Sequence, residues 1–404
     1  MAKIKNISLI FTMTLLLSGC YFSDDSIPSS LIDSSINSNT DSGSYNTSSS
    51  ENNSLSNSDS ISETTNSSLV TSDDNSSGKI TSVSYRNPIL INQGEVADPT
   101  VYFDEETNMT YLFSTGAKGF SSYNQVSFSP LPNSTYTNGI PSWGTTGNGY
   151  WASEFIKIKD KYLLYYSLST WGDNNPGIGV SFSLTPYGPF TDLGPLFRDN
   201  DIGVNNCIDP EVFIAQNGKV YMIFGSMRGN YLVELTDDGL SLFNGLNFQK
   251  EHKIRVAGLD TSVGWTANTY EGANVFYKEG YYYLLLSTGS CCEGVNSTYK
   301  VVVGRSQYPV GPYYDKNNRI MTQGGVGSVV IEKGNGVSGP GHHSYSIDAN
   351  GDYWMYYHGY RDTDDDYRVL FLDKIVFDAE GWPYIEGKVP SVTRHQGPAY
   401  YVDY

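Results

Sequence analysis

The chain has 404 residues, of which 39% are hydrophobic, 14% aromatic and 17% charged, with a formal net charge of −18. Its length allows two or three average domains, or one large all-β domain behind a tail. The acidic balance excludes a nucleic-acid binder, which needs a basic face, and only 4 cysteines exclude a disulfide scaffold. Tyr (33) and Gly (41) are abundant. That mix suits twisted strands, tight turns and the stacking of flat rings on sugar faces.

Residues 1–20 read as a secretory signal. Lys3 and Lys5 precede an apolar run from Ile7 to Leu17, which is too short to span a bilayer. Leu17-Ser18-Gly19-Cys20 resembles the bacterial lipobox. Cys20 is therefore expected to become the lipidated N-terminus, anchoring the protein to the extracellular face of the membrane without crossing it. Residues 21–78 are rich in Ser, Asn, Thr and Asp, contain no Lys or Arg, and carry about half of the net negative charge. Such a segment cannot bury enough apolar surface to offset its ordering entropy. It is expected to be a disordered tether with an r.m.s. reach of roughly 45 Å. The acidity thus belongs largely to the tether.

From 79 to 404 the chain alternates short aromatic and β-branched runs with Gly, Asn and Asp turns. Five segments share one outline: a polar or acidic residue, an apolar pair, a turn, then an aromatic strand ending near Ser, Thr or Gly. They open at Ala97-Asp98-Pro99, Trp151-Ala152-Ser153-Glu154, Ile208-Asp209-Pro210, Tyr270-Glu271-Gly272 and Gly341-His342-His343. The openings lie about 55 to 70 residues apart. Four strands and their loops fill such a unit, so the fold expected is all-β, a five-bladed β-propeller. A seven-bladed ring needs repeats of roughly 40–45 residues.

Equivalent positions in a propeller lie at one height around the central channel. Asp98, the Ser153–Glu154 region, Asp209, Glu271 and His342 should therefore ring one mouth. Glycoside hydrolysis needs one carboxylic acid to protonate the leaving oxygen and one carboxylate to activate water. In inverting enzymes these stand roughly 6.5–9.5 Å apart, about the width of such a mouth. A third carboxylate raises its neighbour's pKa and keeps an acid protonated. A single Asp-Pro is ordinarily a turn device. Three acids in register among five repeats point instead to a site.

These segments resemble glycoside hydrolase family 43, in its arabinan endo-1,5-α-L-arabinosidase branch. The likeness runs through Ala97-Asp98-Pro99-Thr100-Val101, Asn206-Cys207-Ile208-Asp209-Pro210 and Tyr270-Glu271-Gly272-Ala273. It is most specific over Gly289-Ser290-Cys291-Cys292-Glu293-Gly294-Val295-Asn296-Ser297-Thr298-Tyr299 and Val303-Gly304-Arg305-Ser306, and continues through Gly339-Pro340-Gly341-His342 and Asp378-Ala379-Glu380-Gly381-Trp382-Pro383. It implies a five-bladed propeller that inverts the anomeric centre, with Asp98 as general base, Glu271 as general acid and Asp209 tuning and orienting the acid. It also implies a channel metal at His342, usually calcium, completed by waters. Calcium prefers oxygen ligands, so a plain hydrogen-bonding His342 is the alternative. His343 departs from the family pattern, where a polar amide is usual.

Trp151 and Trp171 are candidate sugar platforms or core residues. Asn206 either binds sugar or closes a turn. Arg305 is expected to support a neighbouring blade. Cys291 and Cys292 are expected to be small buried residues, because a vicinal disulfide is strained; with Cys207 they predict no obligatory disulfide. Asp364-Asp365-Asp366 lacks the spacing of a calcium loop and reads as a solvated turn. The expected protein is a monomeric, lipid-anchored hydrolase of internal α-1,5-linked L-arabinan. The alternatives are an exo-acting α-L-arabinofuranosidase or β-xylosidase of the same fold, a non-catalytic glycan-binding propeller, and a scaffold for protein partners.

Overall fold

The computed structural model describes residues 79–90, 92–145, 147–259, 269–363 and 367–402. The signal peptide with Cys20, the tether over 21–78 and the Asp364-Asp365-Asp366 turn lie outside the described residues.

Five four-stranded antiparallel sheets follow one another along the chain, each with its strands in sequence order. Blade one comprises Thr100–Asp104, Met109–Ser114, Lys118–Ser122 and Ser129–Pro130. Blade two comprises Gly149–Ile158, Lys161–Ser169, Gly177–Ser183 and Thr191–Arg198. Blade three comprises Glu211–Ile214, Val220–Phe224, Asn230–Glu234 and Ile254–Ala257. Blade four comprises Glu271–Lys278, Tyr281–Thr288, Lys300–Ser306 and Ser328–Ile331. Blade five comprises Val337–Ile347, Tyr353–Arg361, Val369–Phe377 and Pro383–Ile385. The innermost strands touch one another in a closed circle, blade five against blade one. This is the predicted five-bladed propeller. A separate ribbon pairs Lys79–Arg86 antiparallel with Arg394–Val402, clasping the two ends of the folded part.

The core lies between blades. Each sheet buries both faces against its neighbours, so the second strands are buried almost throughout: Tyr162–Ser169 in blade two, Tyr282–Thr288 in blade four. Leu163, Tyr165 and Val180 of blade two pack on Val212, Met222 and Phe224 of blade three. The ring closes where Trp354, Tyr356 and Leu370 of blade five meet Val101, Leu112 and Phe120 of blade one. Tyr serves this packing because a buried ring can still satisfy its hydroxyl at a blade edge. Tyr165 donates to the Gly239 carbonyl at 2.7 Å, Tyr356 to the Gln125 carbonyl at 2.8 Å and Tyr357 to Asp373 at 2.7 Å. The abundance of Tyr therefore reflects blade packing more than sugar stacking. Arg305 supports the next blade as expected, with its guanidinium between Tyr281 of blade four and Trp382, which leads into the fourth strand of blade five.

Candidate active site

Near the openings of the repeated segments the strand's alternation is broken. Asp98 (φ 54°), Asp209 (φ 60°), Gly272 (φ 52°) and His342 (φ 42°) all have left-handed backbones, which is costly for residues with a Cβ. The inner strands of blades two, four and five also carry register shifts near their first residues. The break turns these side chains out of the blade interfaces. Asp98, Asp209, Glu271 and His342 then line a single cavity of about 590 Å³ with Trp151, Trp171 and Asn206. The Ser153–Glu154 region, expected at the same mouth, does not line this cavity; blade two contributes Trp151 and Ala152 instead.

Each of these strained residues is held by the second strand of the preceding blade. The Asp209 amide donates to Ser167 Oγ at 3.0 Å and the His342 amide to Ser287 Oγ at 2.9 Å. The Asp98 amide donates to His358 Nδ1 at 3.1 Å, across the junction that closes the ring. Ser167, Ser287 and His358, near the ends of three of the aromatic strands, therefore support the following blade's residue at the mouth.

The three acids stand in different fields. Thr115 donates its hydroxyl to Asp98 Oδ2 at 2.5 Å. Asp98 Oδ1 lies 3.4 Å from an Arg368 nitrogen, 3.4 Å from His342 Nδ1 and 3.2 Å from His358 Nδ1. Burial alone would push the Asp98 carboxyl up. The Arg368 guanidinium, with the two imidazoles, outweighs it and holds Asp98 well below the usual carboxylate range. Asp209 is pushed well up, first by burial and then by Glu271 and Asp98; its Oδ2 accepts the Gly272 amide at 3.2 Å. Burial also raises Glu271, tempered by the Ser226 hydroxyl, which donates to its Oε2 at 2.6 Å. Asp98 is thus held as an anion, while Asp209 and Glu271 are both shifted toward their protonated forms.

Sequence reasoning missed Thr115, Ser226, Arg368, His358 and Tyr299. Arg368 directly precedes the third strand of blade five, outside the repeated outline, and is tied to Glu95 at 2.9 Å. Tyr299 stacks on His358 with ring centroids 5.8 Å apart and faces Glu271. Gly341 makes its room, because a Cβ there would lie 2.2 Å from the Tyr299 ring.

Trp151 and Trp171 lie on one wall with ring centroids 5.5 Å apart, tilted by 57°. Trp171 is 73% exposed, so it is no core residue. Asn206 lines the cavity and also closes a turn, donating to the Ser226 carbonyl at 3.2 Å. The cysteine expectation is corrected. Cys291 and Cys292 form a disulfide, Cys291 half-buried and Cys292 exposed on the rim. They follow Gly289 into a loop, out of the strand interior where small buried residues would be needed. Cys207 is free and buried.

His342 is the donor expected for a channel cation. Burial pushes the His342 imidazole down to about 4, which leaves a lone pair free at neutral pH. No group of three His, Cys, Asp or Glu side chains converges as a ligand set among the described residues. The residues fit a single imidazole contact to a hydrated ion and do not fit a protein-built cage. His343 is buried, and neither ring nitrogen has a hydrogen-bond partner.

Deeper on the inner strands, Glu154 accepts from Thr100 at 3.0 Å, and Glu211 accepts from Asn274 at 3.0 Å and the Val275 amide at 2.7 Å. Burial raises Glu211 from its ordinary 4.5 to about 8. A carboxyl raised on folding favours the folded state below its unfolded value and loses that advantage as pH rises through the folded one. Glu211→Gln should therefore lose less stability than the parent between pH 5 and 8.5 in urea unfolding; equal losses would contradict this.

The family model described as glycosyl hydrolases family 43 matches residues 85–383. An extracellular exo-α-(1→5)-L-arabinofuranosidase of Cellvibrio japonicus is 34% identical over 319 residues, covering 73% of this chain and 88% of the relative. An extracellular endo-α-(1→5)-L-arabinanase of Bacillus subtilis is 30% identical over 286 residues, covering 69% and 80%. The structure of Cellvibrio cellulosa α-L-arabinanase complexed with arabinohexaose aligns with a TM-score of 0.64 at 31% identity, covering 73% of this chain and 96% of that one.

Proposed function

The chain belongs to glycosyl hydrolases family 43, and from that membership and the unequal fields at its three acids we propose that it hydrolyses internal α-1,5-L-arabinofuranosidic bonds of arabinan with inversion. The observation that carries this reading is the pairing of one ionised carboxylate, Asp98 beside Arg368, with Glu271, whose carboxyl burial raises. Arabinan as substrate is supported by the activities named for the Bacillus relative and the arabinohexaose-bound structure. The Cellvibrio japonicus relative supports a second reading, exo cleavage of the same linkage.

In the proposed reaction Asp98 takes a proton from water as the water oxygen attacks the anomeric carbon. The bond to the leaving oxygen breaks, and that oxygen takes the proton of Glu271. Asp209 fixes the backbone beside the acid by accepting the Gly272 amide, while burial, with the charge of Asp98, raises the acid. Thr115, His358 and Arg368 hold Asp98 in place and keep it charged. Trp151 and Trp171 offer their rings to furanose faces, and Asn206 lies beside Asp209 within reach of a sugar hydroxyl.

His342 is proposed to give one nitrogen to a hydrated calcium ion, which when bound would supply ordered waters and positive charge in the channel. Calcium should raise the melting temperature of the parent and leave His342→Ala unmoved; equal shifts would count against the site. The protein is proposed to act outside the cell, consistent with its extracellular relatives, as a monomer tethered through Cys20. Cys20→Ser should move it from the membrane fraction to the medium, and its retention on the membrane would refute the anchor.

Product analysis on linear α-1,5-arabinan tests the main reading. The parent should release short oligosaccharides, and Glu271→Gln and Asp98→Asn should each lose activity by about 10²–10⁴-fold while still binding the polymer. Arabinose as the sole product would support the exo reading. Binding without cleavage by the parent would make the protein a glycan-binding propeller.

A further inference from the structure

The loop between the second and third strands of blade four carries the Cys291–Cys292 disulfide to the wall of the cavity that holds the acids. Cys292 is exposed and Cys291 half-buried, so a thiol in solution can reach the sulfur pair. The loop does not depend on the sulfur bond for its shape. The amides of Thr298 and Tyr299 both donate to the Ser290 carbonyl at 3.1 Å, the Ser290 amide donates to Thr298 Oγ1 at 3.0 Å, and the Glu293 amide donates to Ser297 Oγ at 2.9 Å. Opening the disulfide therefore leaves blade four closed. Cys207, free and fully buried, is beyond the reach of the same reagent.

One nitrogen joins this pair to the acids. Arg368 Nη1 lies 3.9 Å from Cys292 Sγ and 3.4 Å from Asp98 Oδ1, while Nε of the same side chain is tied to Glu95 at 2.9 Å. A guanidinium stays charged at any working pH. It stabilises a thiolate beside it, which makes Cys292 the better leaving group of the two sulfurs. An attacking thiolate thus bonds to Cys291 Sγ, the sulfur–sulfur bond breaks, and its electron pair stays on Cys292 Sγ. The second thiolate of a dithiol then attacks the reductant's own bound sulfur and expels Cys291, which takes a proton. The dithiol leaves as a cyclic disulfide, having given two electrons to the pair. The mouth has then gained an anion, and the Cys292 thiolate competes with Asp98 for the same Nη1.

We propose that Cys291 and Cys292 form a thiol-exchange site that takes a dithiol as its reductant, and that opening it lowers turnover by drawing Arg368 off Asp98. The effect on turnover rests on the hydrolase reading above; the exchange itself does not. The oxidised, uncharged pair is the active form, as suits an enzyme working where disulfides persist.

Dithiothreitol treatment of the full native chain, followed by iodoacetamide and peptide mapping, tests the site. Cys291 and Cys292 should both be alkylated while Cys207 stays unmodified, which marks the fold as intact. At pH 7 the reduced Cys292 should be alkylated about threefold more slowly in Arg368→Gln, a tenfold loss of thiolate partly offset by greater intrinsic nucleophilicity. It should be alkylated faster in Glu95→Gln, which releases the guanidinium to the sulfur and carries the comparison if Arg368→Gln fails to fold. Initial rates on linear α-1,5-arabinan should fall about tenfold on reduction, part of the roughly 10²–10⁴-fold that a general base contributes, and return on reoxidation. Cys291→Ser/Cys292→Ser should show no response to the reductant. A disulfide that opens only once Cys207 is also alkylated, reduction without loss of rate, or equal alkylation in the folded variants overturns the proposal. Failure of the hydrolase reading is separate: the parent would then cut no arabinan, and the alkylation pattern would stand unchanged.

Discussion

A small sheet with two apolar faces must cover both, and five such sheets can do so only by closing a ring. That closure governs the rest of this molecule. It places the apolar clusters between blades, from Leu163 against Met222 round to Tyr356 against Leu112. It leaves the axis to polar groups that no neighbouring blade can use. It also brings the first residues of five separate repeats, spread from Asp98 to His342, to one mouth. The site is thus assembled by long-range packing. The His358–Asp98 contact makes this concrete, since the last blade holds Asp98 of the first.

Within that mouth the electrostatic problem is to bury three carboxyl groups while giving them opposite proton states. Arg368 solves half of it by standing on the Asp98 side, tied to Glu95 behind it. The other half follows from desolvation, which favours the neutral form at Asp209 and Glu271. The left-handed backbones of Asp98 and Asp209 belong to the same design. Their strain is sustained by the amide bonds to His358 and Ser167, which are available only in the closed ring.

The residues that could be read from the chain are those that recur. Asp98, Asp209, Glu271 and His342 share a place in a repeated outline, so their meeting followed from propeller geometry. Arg368 and Thr115 occupy other strands or turns, where neither period nor spacing marks them, and only the folded ring brings them to Asp98. Ser226 and His358 end the aromatic strands, a place the outline did include, but nothing there signalled that the second strand supports the following blade. The abundance of Tyr pointed toward sugar, yet Tyr165, Tyr166, Tyr356 and Tyr357 are fully buried between blades, and the rings lining the cavity are Trp151 and Trp171. The cysteine pair was misjudged because strain was weighed without knowing that the pair sits in a rim loop.

The central claim is that an ionised Asp98 and a protonated Glu271 act together in a single displacement. The configuration of the newly formed reducing end reports on this directly. Proton NMR during early hydrolysis of arabino-oligosaccharide, before mutarotation, should show the β-anomer first, opposite to the α-linkage that was cut. Initial appearance of the α-anomer would mean retention through a covalent intermediate and would contradict the assignment of Asp98 as a base acting on water.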